Sequence, residues 1–134
     1  MMPLRGSCLC KAVQYEADAL ASPIGHCHCH TCRKSNASAY TTTARVDRAA
    51  FRFVAGIDRL TAYESTPGKL RRHCSVCGTE ILSEWVAQPQ IILRVATLDD
   101  DPGVRPQVRI WTSHDVPWLV DESALPRLPE GIKP

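Results

Sequence analysis

No apolar run in the chain approaches the ~20 residues that a membrane-spanning helix needs. The opening stretch, Met1-Met2-Pro3-Leu4-Arg5-Gly6, lacks a signal-peptide core. Together these absences lead us to expect a cytoplasmic protein with no membrane partner. Sustained 3.6-residue periodicity is also missing, which argues against an architecture of amphipathic helices. There is no internal repeat, no low-complexity segment and no linker that would split the 134 residues. A single domain over 1–134 is expected, with a Pro-rich surface tail over 121–134. At 44% hydrophobic and 22% charged residues, the composition is that of an ordinary globular chain able to bury a core.

What the chain has is cysteine, seven of them. An odd number in a reducing compartment does not suit a disulfide framework, so metal binding is the expected use. The formal charge of +2 is then misleading. Seven thiolates and two zinc ions together subtract three charges and leave about −1, which gives no global pull toward nucleic acid.

The densest stretch is His26-Cys27-His28-Cys29-His30-Thr31-Cys32. Cys27 and Cys29 share one face of an extended backbone, and Cys29-x-x-Cys32 allows a tight turn that returns the third sulfur to the other two. Thiolates at this spacing suit zinc. A second pair, Cys8-x-Cys10, precedes the alternation of Val13, Tyr15 and Ala17 that marks a half-buried strand. The third group, Cys74-x-x-Cys77-Gly78, reads as a zinc knuckle, with glycine accepting a left-handed conformation after the turn. No βαβ pattern surrounds it, which disfavours a redox dithiol.

Seven ligands divide as four plus three. Cys8, Cys10, Cys74 and Cys77 can close a saturated, structural tetrahedral site. Cys27, Cys29 and Cys32 then form a second site with one place left for water or substrate, the condition for catalysis. Alternatively a histidine (His26, His28, His30 or His73) fills that place and leaves the site inert. His28 lies between two ligands on extended chain and should point away from the metal. His114 is expected to be an exposed loop residue. Lys11, Arg33, Lys34, Lys69, Arg71 and Arg72 form a cation rim that either balances the thiolates or holds an acidic substrate. Trp85, Trp111 and Trp118 are expected in the core or covering the sheet.

Elsewhere, strands are expected at Ala39–Val46, Phe51–Val54, Leu60–Glu64, Ile81–Val86, Ile91–Ala96 and Val108–Trp111, with an irregular or helical turn over Arg33–Ala37. Asp47 is placed as the cap of one turn through Ala50. The fold class is therefore mainly β, a folded pair of antiparallel sheets.

In order and spacing, the groups Gly6-Ser7-Cys8-Leu9-Cys10, Gly25 through Lys34 and Cys74-Ser75-Val76-Cys77-Gly78-Thr79 resemble the glutathione-dependent formaldehyde-activating enzyme family, which includes centromere protein V. Leu98-Asp99-Asp100, Ile110-Trp111 and Pro117-Trp118 also look like family positions. The resemblance implies a β-tent fold with two zinc ions. It puts Cys8, Cys10, Cys74 and Cys77 on the structural ion, and Cys27, Cys29 and Cys32 on the second, catalytic one. The implied activity is that of a carbon–sulfur lyase acting on S-hydroxymethylglutathione, the adduct of formaldehyde and glutathione. A non-catalytic, zinc-stabilised binding module of the same fold is the alternative. Two positions depart from the pattern: Lys11 and Ala37 stand where the family commonly has glycine.

Overall fold

The computed structural model describes residues 2–133. In chain order the elements are β1 (Leu4–Ser7), β2 (Gln14–Ala17), β3 (Gly25–Cys27), α1 (His30–Asn36), β4 (Thr41–Asp47), β5 (Phe51–Ala55), β6 (Leu60–Thr66), β7 (Lys69–Cys74), β8 (Glu80–Trp85), β9 (Gln90–Arg94) and β10 (Val108–Ile110). They make a three-stranded sheet ordered β1-β2-β5 and a seven-stranded sheet ordered β10-β3-β4-β9-β8-β7-β6. The mainly β, two-sheet class read from the sequence is the one observed. Every strand pair is antiparallel except β10 with β3, which run parallel.

The period-two pattern at the start of the chain explains how the sheets meet. Val13, Tyr15 and Ala17 point inward and join Val46, Ile81, Leu82, Ile91 and Leu93 in one buried cluster. Each valine, isoleucine and leucine among them contributes about 1.5–3 kcal/mol by leaving water. Tyr15 also fixes a residue on its neighbouring strand. A Cβ on Gly6 would lie 2.1 Å from the Tyr15 ring, so the β1–β2 ladder requires glycine at that point. The Tyr15 hydroxyl is 2.6 Å from Thr97 Oγ1. Asp99 and Asp100 return to β1: Ser7 Oγ donates to Asp99 at 2.8 Å and the Arg5 backbone N–H to Asp100 at 2.8 Å.

Several local expectations change. Residues 33–36 belong to a regular helix that starts earlier, at His30, because Cys29 caps it: the Cys29 sulfur accepts from the Cys32 N–H at 3.2 Å, and Ala37 ends it in a left-handed conformation. Lys69–Cys74, outside the stretches expected as strands, is also a full strand. The strand expected through Ala96 ends at Arg94, where the chain tightens into a 3-10 turn over Val95–Thr97. Asp47 does precede such a turn, Arg48–Ala50, but makes no side-chain cap bond. Trp111 and Trp118 are exposed, 57% and 67%, rather than buried. Trp111 follows the last residue of an edge strand in a left-handed conformation, and Trp118 lies in the segment that leaves the sheet, where no second layer covers it. Beyond Asp121 the chain is exposed, with one short 3-10 turn at Glu122–Ala124. No helix among the described residues is long and apolar enough to cross a membrane.

Candidate metal centre

The turn after β1 and the turn after β7 bring Cys8, Cys10, Cys74 and Cys77 together, with all four sulfurs within 4.8 Å of one another. Cys8 and Cys10 are 3.6 Å apart and Cys10 and Cys74 3.9 Å. A tetrahedron of sulfurs around zinc, with bonds of about 2.3 Å, has edges of about 3.8 Å. The donor set and its spacing therefore fit zinc. Backbone donors already face the sulfurs: Val13 N–H lies 3.3 Å from Cys8 Sγ and Val76 N–H 3.4 Å from Cys74 Sγ. Thr79 lies 3.3 Å from Cys77 Sγ and, with its own backbone N–H, pulls the Cys77 thiol down to about 5. The Cys74 thiol is lowered too, chiefly by the Cys77 backbone N–H. Gly78 has φ +82°, the left-handed conformation expected after the knuckle. Cys8 and Cys74 are also members of the inter-sheet core, so this site is continuous with the packing.

The second group, Cys27, Cys29 and Cys32, likewise has its three sulfurs within 4.8 Å of one another. It is built locally, from the end of β3 and the first turn of α1. The Cys27 thiol is pushed far up, first by its hydrogen bond to Cys32 and then by burial. Cys32 is held down, first by that same bond, with Arg94 and Arg71 adding to it.

Those two arginines come from strand register. Cys27 pairs with Thr41 and Gly25 with Thr43; Thr43 pairs with Arg94, and Ser83 with both Ile92 and Arg71. Partners across a ladder share a face, so Cys27, Arg94, Ser83 and Arg71 occupy the same side of the large sheet, the side α1 covers. Arg71 Nη1 lies 3.9 Å from Cys32 Sγ. Glu80 ties the cations together at 3.9 Å from Arg71 and 3.5 Å from Arg94, all three side chains being at most 8% exposed. Arg94 Nη2 donates to Ser83 Oγ at 3.1 Å. Within the cation rim, Arg71 thus reaches the thiols, whereas Arg72 pairs with Glu84 at 3.1 Å. Arg94 and Glu80 were not singled out from sequence. They are the last residue of β9 and the first of β8, and a charge at a strand end acquires meaning once the register is known.

No histidine nitrogen joins either set of sulfurs among the described residues. His28 points away, as expected, and is buried with Nδ1 2.5 Å from Asp115 Oδ1, off the line along which a ring N–H donates. The Nδ1 of His26 faces Thr42 Oγ1 at 3.0 Å. His30 is exposed, and its backbone N–H donates to His114 Nδ1 at 3.4 Å. His114 is an exposed residue, as expected, yet it braces the start of α1.

A cleft of about 460 Å³ opens on this face between α1 and the sheet, lined by Thr31, Lys34 and Ser35 of α1, Tyr63 and Ser65 of β6, and Arg71, His73, Gly78 and Glu80; Arg71 links it to Cys32. Burial lowers the Lys69 ammonium, and the neighbouring Arg71 and Arg94 charges lower it further.

Residues 3–114 match the family model described as glutathione-dependent formaldehyde-activating enzyme. The chain belongs to that family. A crystal structure of a Rhodobacter sphaeroides protein shares the fold, with TM-score 0.64 and 25% identity over 79% of this chain and 98% of that one. No curated protein matches the chain. Lys11 (φ 65°) and Ala37 (φ 52°), the two positions where the resemblance led us to expect glycine, both hold the left-handed conformation that glycine adopts freely.

Proposed function

We propose that this family member is a zinc-dependent carbon–sulfur lyase-type enzyme acting on a thiol–aldehyde adduct, with S-hydroxymethylglutathione as the leading substrate. Cys8, Cys10, Cys74 and Cys77 would hold a structural zinc; Cys27, Cys29 and Cys32 would hold a second. The observation that carries the reading is a three-sulfur group that no histidine completes among the described residues, with Cys32 in reach of Arg71 on the wall of a cleft. When bound there, zinc supplies a Lewis acid that stabilises a thiolate or polarises an aldehyde oxygen.

The chain's own residues do the rest. In the synthetic direction the glutathione sulfur forms a bond to the formaldehyde carbon, and the thiol proton goes to the carbonyl oxygen. Arg71 and Arg94 supply positive charge on the side where negative sulfur accumulates. Lys34, Ser35 and Arg71 line a space in the usual range for a small ligand and offer donors to glutathione's carboxylates. Holding two reactants together is itself a large part of such catalysis. The reading takes 1–134 as one such domain, with 121–134 as a surface tail, working in a reducing compartment such as the cytoplasm.

A nucleic-acid role gains no support. Several exposed arginines are neutralised in pairs, Arg5 with Asp100, Arg52 with Glu16 and Asp18, and Arg105 with Asp101. The test is exchange NMR of formaldehyde and glutathione with and without zinc-loaded protein, since the uncatalysed reaction proceeds on its own. Faster exchange that Cys27→Ser removes is the expected result. Exchange at the protein-free rate would end the enzyme reading and favour the binding module.

A further inference from the structure

The histidines that alternate with the metal-directed cysteines face a second cleft. It holds about 490 Å³ and is lined by His26, His28, Tyr40, Arg109, Asp115 and the segment Leu119, Val120, Asp121 and Glu122. It shares no lining residue with the cleft between α1 and the sheet. The floor comes from register: Arg109 pairs with His26, and His26 with Thr42, so the three stand in a row across β10, β3 and β4. The Tyr40 ring lies 4.3 Å from that of His26 and 5.0 Å from that of His28, which makes a continuous aromatic wall.

The charges on this cleft sort into those in use and those to spare. Asp115 is taken up by His28. Asp121 accepts from the Ser123 backbone N–H at 2.9 Å and from its hydroxyl at 2.8 Å. Arg109 and Glu122 also line the cleft, yet neither side chain has a hydrogen-bond or ion-pair partner among the described residues. His28 is 1% exposed, and neither of its ring nitrogens has a well-directed hydrogen bond among the described residues. One free cation, one free anion, an aromatic floor and two aliphatic side chains, Leu119 and Val120, together describe a receptor.

We infer that this cleft binds a small zwitterion bearing one carboxylate and one ammonium, the headgroup of an α-amino acid. Arg109 takes the carboxylate as a two-pronged donor, and Glu122 takes the ammonium. Leu119 and Val120 face the remainder of the ligand. A metal ion is a poorer occupant, because Tyr40 contacts both imidazoles and no His and carboxylate atoms here gather as a ligand set. The headgroup could belong to a free amino acid or to the γ-glutamyl end of a peptide. The site is independent of the proposed activity.

The test is titration of the zinc-loaded full chain, followed by amide NMR shifts at His26, Tyr40 and Arg109, with L-leucine, with γ-glutamylglycine (which has no thiol) and with isopentylamine, which has only the ammonium. At least one of the first two should bind saturably and about tenfold or more tighter than isopentylamine. The tighter of the two identifies the source of the headgroup. Arg109→Gln and Glu122→Gln, both at exposed positions, should each weaken that binding about tenfold with unchanged melting temperature. Absence of saturable binding by either zwitterion, equal affinity for isopentylamine, or wild-type affinity in both variants would each overturn the inference. None of these results depends on formaldehyde chemistry.

Discussion

The two cysteine groups use the same ligand atom and differ in how they are built. The four-sulfur group joins segments more than sixty residues apart, and two of its members belong to the hydrophobic core. The three-sulfur group comes from six consecutive residues, on the opposite face of the large sheet, beside buried charges. With zinc bound as proposed, the first would be a cross-link on which folding depends. The second would be a local loop whose chemistry depends on what the fold places behind it. Where a site's ligands lie in the chain says how much of the fold it carries.

The largest expected effect comes from breaking one site at a time. Cys74→Ser should unfold or aggregate the chain, because structural zinc contributes on the order of 10 kcal/mol or more of apparent binding energy to folding. Cys27→Ser should keep a cooperative thermal transition close to wild type while losing any activity. Equal melting temperatures for the two variants would erase the contrast.

The next effect lies behind the three-sulfur group. Arg71→Met removes one of two cations facing Glu80 and should cost about 3 kcal/mol in chemical denaturation, the lower end for breaking a buried pair because Arg94 remains. It should also weaken the second zinc while leaving the first in place, which zinc stoichiometry after dialysis measures. Arg71→Lys should restore part of both.

A chromophoric chelator followed against pH compares the sites directly. Protons compete with zinc for thiolates, and a thiol with a raised pKa gives up its proton least willingly. Each group holds one thiol pushed up, Cys10 to about 11 and Cys27 further, and one held down to about 5, Cys77 and Cys32, so the number of thiolates decides the order. With three sulfurs against four, the three-sulfur site should empty first as pH falls and the four-sulfur site last, in two separate steps of one equivalent each. A single step would contradict the comparison.

The smallest effects are at the two turns. Lys11→Gly at the four-sulfur site and Ala37→Gly after α1 should each stabilise the protein. The gain should be about 0.5–1 kcal/mol, as relief of left-handed strain outweighs the extra freedom of glycine in the unfolded chain. Paired denaturation curves measure it.

Much of the candidate site was legible because its signals are local. Alternation of Cys27, His28 and Cys29 said which side chains diverge, and the spacing to Cys32 said that the chain turns back. Alternation also placed Val13, Tyr15 and Ala17 inside. Trp111 and Trp118 were misread because aromatic character implies burial only where a second layer exists to receive it.

By itself, then, the sequence determined the sorting of seven sulfurs into four and three, the two-sheet class and the inward face of β2, since each rests on residue type at short spacing. Only the tertiary structure decided that Arg71, Glu80 and Arg94 stand behind the three sulfurs and that Arg109 and Glu122 face an aromatic wall. The reason is physical. A one-residue shift in strand pairing sends every side chain to the other face, and that register is chosen by packing across the whole sheet, with no short stretch of chain able to specify it.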